Sequence, residues 1–293
     1  MFQQKKSNDY KTSENYLKRM KELLNIPNEV KKDEGNKKSL ISIIEQDGSN
    51  YAITNDNFKK MILLIYRIKA DIPVIIMGET GCGKTSLIIK LNQILNNGKT
   101  TVKIINIHPG IDDELLCQIM DEKDKKVREQ PNEELWLFFD EINTCKSLSL
   151  LTEIFINRTY FGKQISDNIR LIGACNPYRK RKGDKEKCGL SFPDDKNNDL
   201  VYLVEPLPQS LLYYVFSFDS IDEEDKKKYI ESIIAKLFTS EEKKLHEITK
   251  EAISQCHIYL RNVYDSSVVS LREISRFTKC VEFFKEYFTE KNE

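Results

Sequence analysis

The octapeptide Gly78-Glu79-Thr80-Gly81-Cys82-Gly83-Lys84-Thr85 constrains this chain more than any other feature. It is a complete G-x-x-x-x-G-K-T run between an apolar stretch, Val74 to Met77, and a segment of helical spacing, Lys84 to Leu95. A strand that turns through glycines into a helix gathers backbone N–H groups and the positive end of the helix dipole around one concavity. Such a cradle takes phosphate oxygens. On that reading Gly78, Glu79, Thr80, Gly81, Cys82 and Gly83 supply the wrapping main chain, Lys84 reaches the β- and γ-phosphates, and Thr85 ligates Mg²⁺.

Further strands alternate with helices. Helical spacing runs from Asn57 to Lys69, ahead of the first strand, and Val102 to Ile107, Leu135 to Phe139 and Arg170 to Cys175 read as later strands. Helical patterns over Asp112 to Glu129 and Leu148 to Ile156 separate them. This order predicts an α/β fold, a parallel sheet flanked by helices, with its ligand site at the C-terminal ends of the strands. Beyond Pro208 the pattern reads as helical, with segments near Asp222 to Leu237, Glu241 to Leu260 and Ser267 to Phe288 forming a small all-α lid. The expected division is a lead-in over 1–50, a nucleotide-binding domain over 51–216 and the lid over 217–293. Tyr178 to Leu200 reads as a polar surface insertion.

Two strand ends carry chemistry. Leu135 to Phe139 delivers Asp140 and Glu141, where Asp140 is placed to hold Mg²⁺ and Glu141 to act as general base for water attacking a γ-phosphate. Asn176 follows the Arg170 to Cys175 strand, where its amide reads either as a γ-phosphate or water contact or as part of an Asn-Pro turn.

Composition removes several function classes. Forty-six Lys plus Arg balance 46 Asp plus Glu, so no global field draws the chain to nucleic acid or an anionic membrane. The basic cluster Arg179 to Lys182 is diluted by Asp184 and Glu186 and reads as a solvated loop. No apolar run approaches the roughly 18 residues of a membrane span. The polar start lacks a signal-peptide h-region, and the seven cysteines include no C-x-x-C pair, which predicts reduced, mostly buried thiols in a cytoplasmic protein.

Together, the Gly78 to Thr85 loop, the Leu137 to Cys145 run, and Arg170-Leu-Ile-Gly-Ala-Cys-Asn-Pro-Tyr-Arg179 resemble the AAA+ modules of the mysterin family, giant RING-finger ubiquitin ligases with a dynein-like ATPase core. The similarity runs from about Tyr51 to Phe288, and Pro206 to Leu211 adds to it. The resemblance implies an AAA+ P-loop ATPase using ATP and Mg²⁺, with the octapeptide as Walker A and Asp140-Glu141 as Walker B. Asn176 then matches sensor 1, and Arg272 matches the sensor 2 position, whose guanidinium would reach the γ-phosphate when the lid closes. The segment around Tyr51 to Asn57 is similar to the part lining the adenine pocket. Implied partners are other AAA+ modules or copies of this chain, and, by resemblance only, a ubiquitin-ligase assembly.

Two departures qualify that resemblance. Dynein-like modules commonly follow Leu-Pro-x-x-Leu with an arginine finger, whereas Leu207 to Leu211 continues to Phe216 without arginine, leaving Arg158, Arg179 and Arg181 as substitutes. Nor does the chain hold the dense Cys/His spacing of a zinc-binding ligase module. The leading expectation is therefore ATP hydrolysis coupled to movement in a larger ring. The competing one is a nucleotide-gated structural module with little turnover, and a nucleic-acid motor stands third.

Overall fold

The computed structural model describes residues 54–96, 98–178, 202–218, 223–234, 237–238, 243–264 and 270–290, with helical positions at 18, 20 and 22. Nearly all of the lead-in and of the insertion lie outside the described residues, as do Arg179, Arg181 and Tyr51 to Ile53 of the segment expected to line an adenine pocket. By contacts the chain divides into two compact units, Leu63–Ser220 and a second made of Ile221–Glu293 with Met1–Ile62.

The helix α1 (Asn55–Lys69), which enters the first unit at Leu63, leads to β1 (Val74–Met77) and then to α2 (Lys84–Leu95). Next come β2 (Val102–Asn106), α3 (Asp113–Glu129) and β3 (Leu135–Asp140). Asp112 caps α3 by accepting from the Leu115 N–H at 2.9 Å, and Asp113 with Glu114 sits favourably at the positive end of its dipole. A short helix, α4 (Leu148–Thr152), runs into a π turn (Glu153–Asn157). A two-stranded hairpin, β4 (Thr159–Tyr160) with β5 (Lys163–Gln164), precedes β6 (Ile169–Cys175), and α5 (Gln209–Leu212) precedes β7 (Val215–Ser217).

The five main strands are parallel in the order β2-β3-β6-β1-β7. Leu137 and Phe139 of β3 share one apolar cluster with Leu116 and Met120 of α3, Leu151 of α4 and Phe155 of the π turn. Phe139 and Phe155 meet edge to face at 5.5 Å, a pair that adds about 0.5–1.5 kcal/mol beyond its burial. Trp136 and Phe138 alternate onto the other face and are also buried, so β3 is apolar at consecutive positions because both faces are covered. This arrangement is the expected α/β sheet with flanking helices.

Several local expectations need correction. The chain beyond Pro208 is not helical throughout: β7 intervenes, adding to the far side of β1 a strand of three residues, too short for periodicity to reveal. The helix read as continuous over Leu148 to Ile156 widens into a π turn after Thr152, whose hydroxyl donates back to the Leu148 carbonyl at 2.7 Å. Cysteines are not mostly buried either: among the described ones Cys145 and Cys175 are buried, Cys82 and Cys117 partly so, and Cys256 and Cys280 exposed.

The second unit holds α6 (Glu223–Ile234), α7 (Lys243–Val263) and α8 (Leu271–Glu290). Ile230, Ile233 and Ile234 of α6 form its core with Ile274 of α8, and Ile253 of α7 packs against them.

Candidate nucleotide-binding site

The loop after β1 begins as a continuation of the sheet. The Gly78 N–H donates to the Cys175 carbonyl at 3.2 Å, while the Phe218 N–H donates to the Met77 carbonyl at 2.6 Å. Position 78 lies so close to β7's exit that a Cβ there would stand 2.8 Å from the Phe218 carbonyl oxygen. Gly81 and Gly83 then take φ of 75° and 92°, left-handed values that turn the loop back on itself at little steric cost. Gly83 is the N-cap of α2 and brings no side-chain acceptor to it, so the first-turn N–H groups point toward the mouth of the loop.

Lys84 is only 7% exposed, an unusual place for a lysine. Its ammonium donates to the Gly78 carbonyl at 2.7 Å, the Glu79 carbonyl at 3.0 Å and Asn176 Oδ1 at 3.3 Å. Burial pushes the nearby Cys175 thiol up to about 12, while the Lys84 charge pulls it down. The positive charge is thus held at the ends of β1 and β6.

The acids arrive from β3, two strands from β1 across β6. Thr85 Oγ1 donates to Asp140 Oδ2 at 3.1 Å, tying the first turn of α2 to the end of β3. Asp140 Oδ1 accepts from the Glu141 N–H at 3.0 Å. Glu141 is exposed and adopts φ 59°, a left-handed conformation that costs a non-glycine residue about 1–2 kcal/mol. Thr144 holds that turn, because its hydroxyl lies between the Glu141 carbonyl at 2.9 Å and the Ile107 carbonyl at 3.1 Å and shares its one proton with them.

Asn176 completes the group. Its Oδ1 faces Lys84 Nζ and also accepts from Thr80 Oγ1 at 3.4 Å. Two polar pairs, Lys84 with Asn176 and Thr85 with Asp140, therefore start from consecutive residues at the head of α2, and Glu141 follows Asp140 as an exposed residue.

Residues 51–179 match the family described as the RNF213 AAA domain. This chain carries an RNF213-type AAA domain. Human E3 ubiquitin-protein ligase RNF213 is 31% identical over 263 residues, as is its mouse counterpart, and zebrafish E3 ubiquitin-protein ligase rnf213-beta is 32% identical over 251. These alignments take in 77–81% of this chain but 5% of each relative, so the chain spans about a twentieth of their length. The resemblance to the mysterin family's AAA+ modules is borne out.

The anticipated arginines lie outside the polar group just described, Arg272 in the other unit and Arg158 at the far end of the sheet. Arg272 sits exposed in the first turn of α8, in the second unit, where its N–H donates to Ser270 Oγ at 3.2 Å. Arg158 is committed at the opposite end of the sheet: it donates to the Ser166 and Ile169 carbonyls, both at 2.9 Å, and pairs with Asp71, which precedes β1. Those contacts hold its guanidinium within this chain.

Conversely, the sequence reading missed two residues. Asn143, 1% exposed, donates from Nδ2 to the Asn176 carbonyl at 2.8 Å and accepts at Oδ1 from the Asn176 N–H at 3.3 Å. Tyr202 Oη accepts from the Thr80 N–H at 3.3 Å. The one signal for Asn143 was a polar residue in the apolar turn after the acid pair. Tyr202 had none, being 122 positions from Thr80.

Among the described residues no group of three or more His, Cys, Asp or Glu could hold a metal, and no helix is long and apolar enough to cross a membrane.

Proposed function

We propose that this AAA domain binds ATP with Mg²⁺ and hydrolyses it, as one module of a larger assembly. The observation that carries the reading is the 3.1 Å contact between Thr85 Oγ1 and Asp140 Oδ2. Two oxygens on adjacent corners of a Mg²⁺ octahedron, each about 2.0–2.1 Å from the ion, lie about 2.9 Å apart. The pair therefore fits a small hard cation whose other ligands are phosphate oxygens and water. When bound, Mg²⁺ neutralises charge on the β- and γ-phosphates.

Everything else falls to the chain's own groups. Main-chain N–H groups at the end of the loop and the head of α2, Gly81, Gly83, Lys84 and Thr85, bind the phosphates, and Lys84 exchanges the neutral Asn176 oxygen for a phosphate oxygen, a stronger charge-assisted bond. Glu141, solvent-facing beside the metal ligand, orients water and accepts its proton. Asn176 reads the terminal phosphate through its amide, and Arg272 acts as the lid's contact to it. Supporting this reading are the RNF213 AAA match and the meeting of loop, acid pair and Asn176 at adjacent strand ends.

Partners are neighbouring AAA+ modules, either copies of this chain or modules of other chains. The relatives are named ubiquitin ligases, and this chain covers a twentieth of them. Ligase chemistry, if this assembly performs it, belongs to other segments or partners. The test is turnover by Glu141→Gln in protein that still binds ATP: loss supports hydrolysis through Glu141, and unchanged turnover rejects it.

A second reading, a nucleotide-gated structural module, draws on one observation: Leu207 to Phe216 has no arginine and Arg158 is engaged elsewhere. ATP retained without turnover, with assembly partners present, would favour it.

A further inference from the structure

We infer that Thr144 is the positioning residue for Glu141: its hydroxyl holds the left-handed turn from which that acid projects, and it does so from the end of β2. The inference rests on the hydrolysis reading above and adds to it a residue that acts through Glu141 and not on the nucleotide.

Glu141 adopts φ 59° and ψ 37°, a conformation that glycine or asparagine takes at little cost and glutamate does not. Such strain persists only where the surroundings over-determine it, and it gathers where chemistry needs it. Stability gives no reason for glutamate here, because the residue is exposed and its carboxylate makes no hydrogen bond or ion pair among the described residues.

Both peptide groups of Glu141 are held. Its N–H donates to Asp140 Oδ1 at 3.0 Å, and its carbonyl accepts from the Thr144 N–H at 2.9 Å and lies 2.9 Å from the Thr144 hydroxyl. That hydroxyl is also 3.1 Å from the carbonyl of Ile107, the residue after β2, whose N–H donates to the Asp140 carbonyl at 2.9 Å. One residue at the end of β2 therefore anchors the main chain of both acids, Asp140 directly and Glu141 through Thr144.

The Thr144 N–H alone would make an ordinary 3₁₀ turn. The hydroxyl adds the link from that turn to the sheet, since its one proton is shared between a carbonyl of each. A methyl group of the same shape would fill the space and omit the link. The direction in which Cβ leaves Glu141 follows from its φ and ψ, so a loosened turn displaces the carboxylate relative to Asp140. Lys84 keeps its own contacts to the Gly78 and Glu79 carbonyls, which do not involve Thr144. The signature of the role is thus a loss in rate without a loss in binding.

The experiment is ATP turnover at saturation, with calorimetric titration of a non-hydrolysable Mg·ATP analogue, for wild type, Thr144→Val and Thr144→Ser, and for Thr144→Val in a Glu141→Gln background. Thr144→Val should turn over about ten-fold or more slowly while binding the analogue within about two-fold of wild type, as a base misplaced by about an ångström would. Thr144→Ser, which keeps the hydroxyl, should recover most of the rate, and without the Glu141 carboxylate the valine should change nothing further. Unchanged turnover in Thr144→Val overturns the inference. So does weaker binding with the saturated rate intact, or a serine variant as slow as the valine one. Thr144→Ala is read in the same way should the valine variant not fold. If Glu141→Gln turns over like wild type, the hydrolysis reading fails and this inference with it.

Discussion

Asn143 grips the main chain of Asn176 from both sides, donating to its carbonyl at 2.8 Å and accepting from its N–H at 3.3 Å. The contact copies a strand pairing with a side-chain amide, and it fixes the distance between the turn that bears Glu141 and the end of β6. Replacing Asn143 by Ala would leave two buried main-chain groups without their partner, a loss of about 2–4 kcal/mol. Asn143→Asp keeps only the acceptor. Because the aspartate turns an acceptor oxygen toward the Asn176 carbonyl and buries a charge, urea melts should show both variants less stable than wild type, and turnover should fall in both; turnover unchanged in the Ala variant would deny any positioning role.

Gly78→Ala tests the close approach of the loop to β7. The new Cβ would meet the Phe218 carbonyl oxygen at 2.8 Å, a main-chain atom that moves only with its strand. The expected cost is about 1–3 kcal/mol in stability, accompanied by weaker nucleotide binding. Thermal melts and a nucleotide titration of the same preparation check both parts.

Asp121 ties α3 to the β4–β5 hairpin and carries a pH signature. Its carboxyl is held below the usual 3.8 first by the hydrogen bond from Lys163, then by that from Tyr160. A depressed carboxylate adds stability that is fully present above its unfolded value and is lost as pH falls through the folded one. Stability should therefore decline from about pH 4 downward, and Asp121→Asn should flatten that decline. Melts of both proteins between neutral and acid pH decide it.

The thiols offer a test of burial. Cys175, pushed up to about 12 by burial, stays a protonated thiol at pH 8 and is buried away from reagent. Maleimide on native protein should label Cys256 and Cys280, whereas Cys145 and Cys175 should react only after denaturation. Peptide mass spectrometry reads this directly.

What the sequence disclosed follows from how local each signal is. The Gly78 to Thr85 loop and the Asp140-Glu141 pair were legible because each is one continuous run at the end of an apolar strand. β7 was not, since three residues show no period, and its pairing with β1 spans about 140 positions. The hairpin at Thr159 to Gln164 escaped for the same reason: its turn is Phe161-Gly162, with φ of 46° and 75°, and a phenylalanine at positive φ is no turn signal. Asn143 and Tyr202 act through contacts distant in sequence, which no spacing rule reports. Arg272 matched by resemblance and occupies the predicted helix, in the unit that does not contain the loop.

The account stands on phosphate capture by the Gly78 to Thr85 loop and Lys84. Calorimetric titration of Mg·ATP into wild type and Lys84→Ala measures it. The account predicts saturable heat with wild type and at least about a ten-fold loss of affinity in the variant, as expected for removing a charge-assisted contact. No heat with folded wild type, or the same affinity without the lysine, would contradict it.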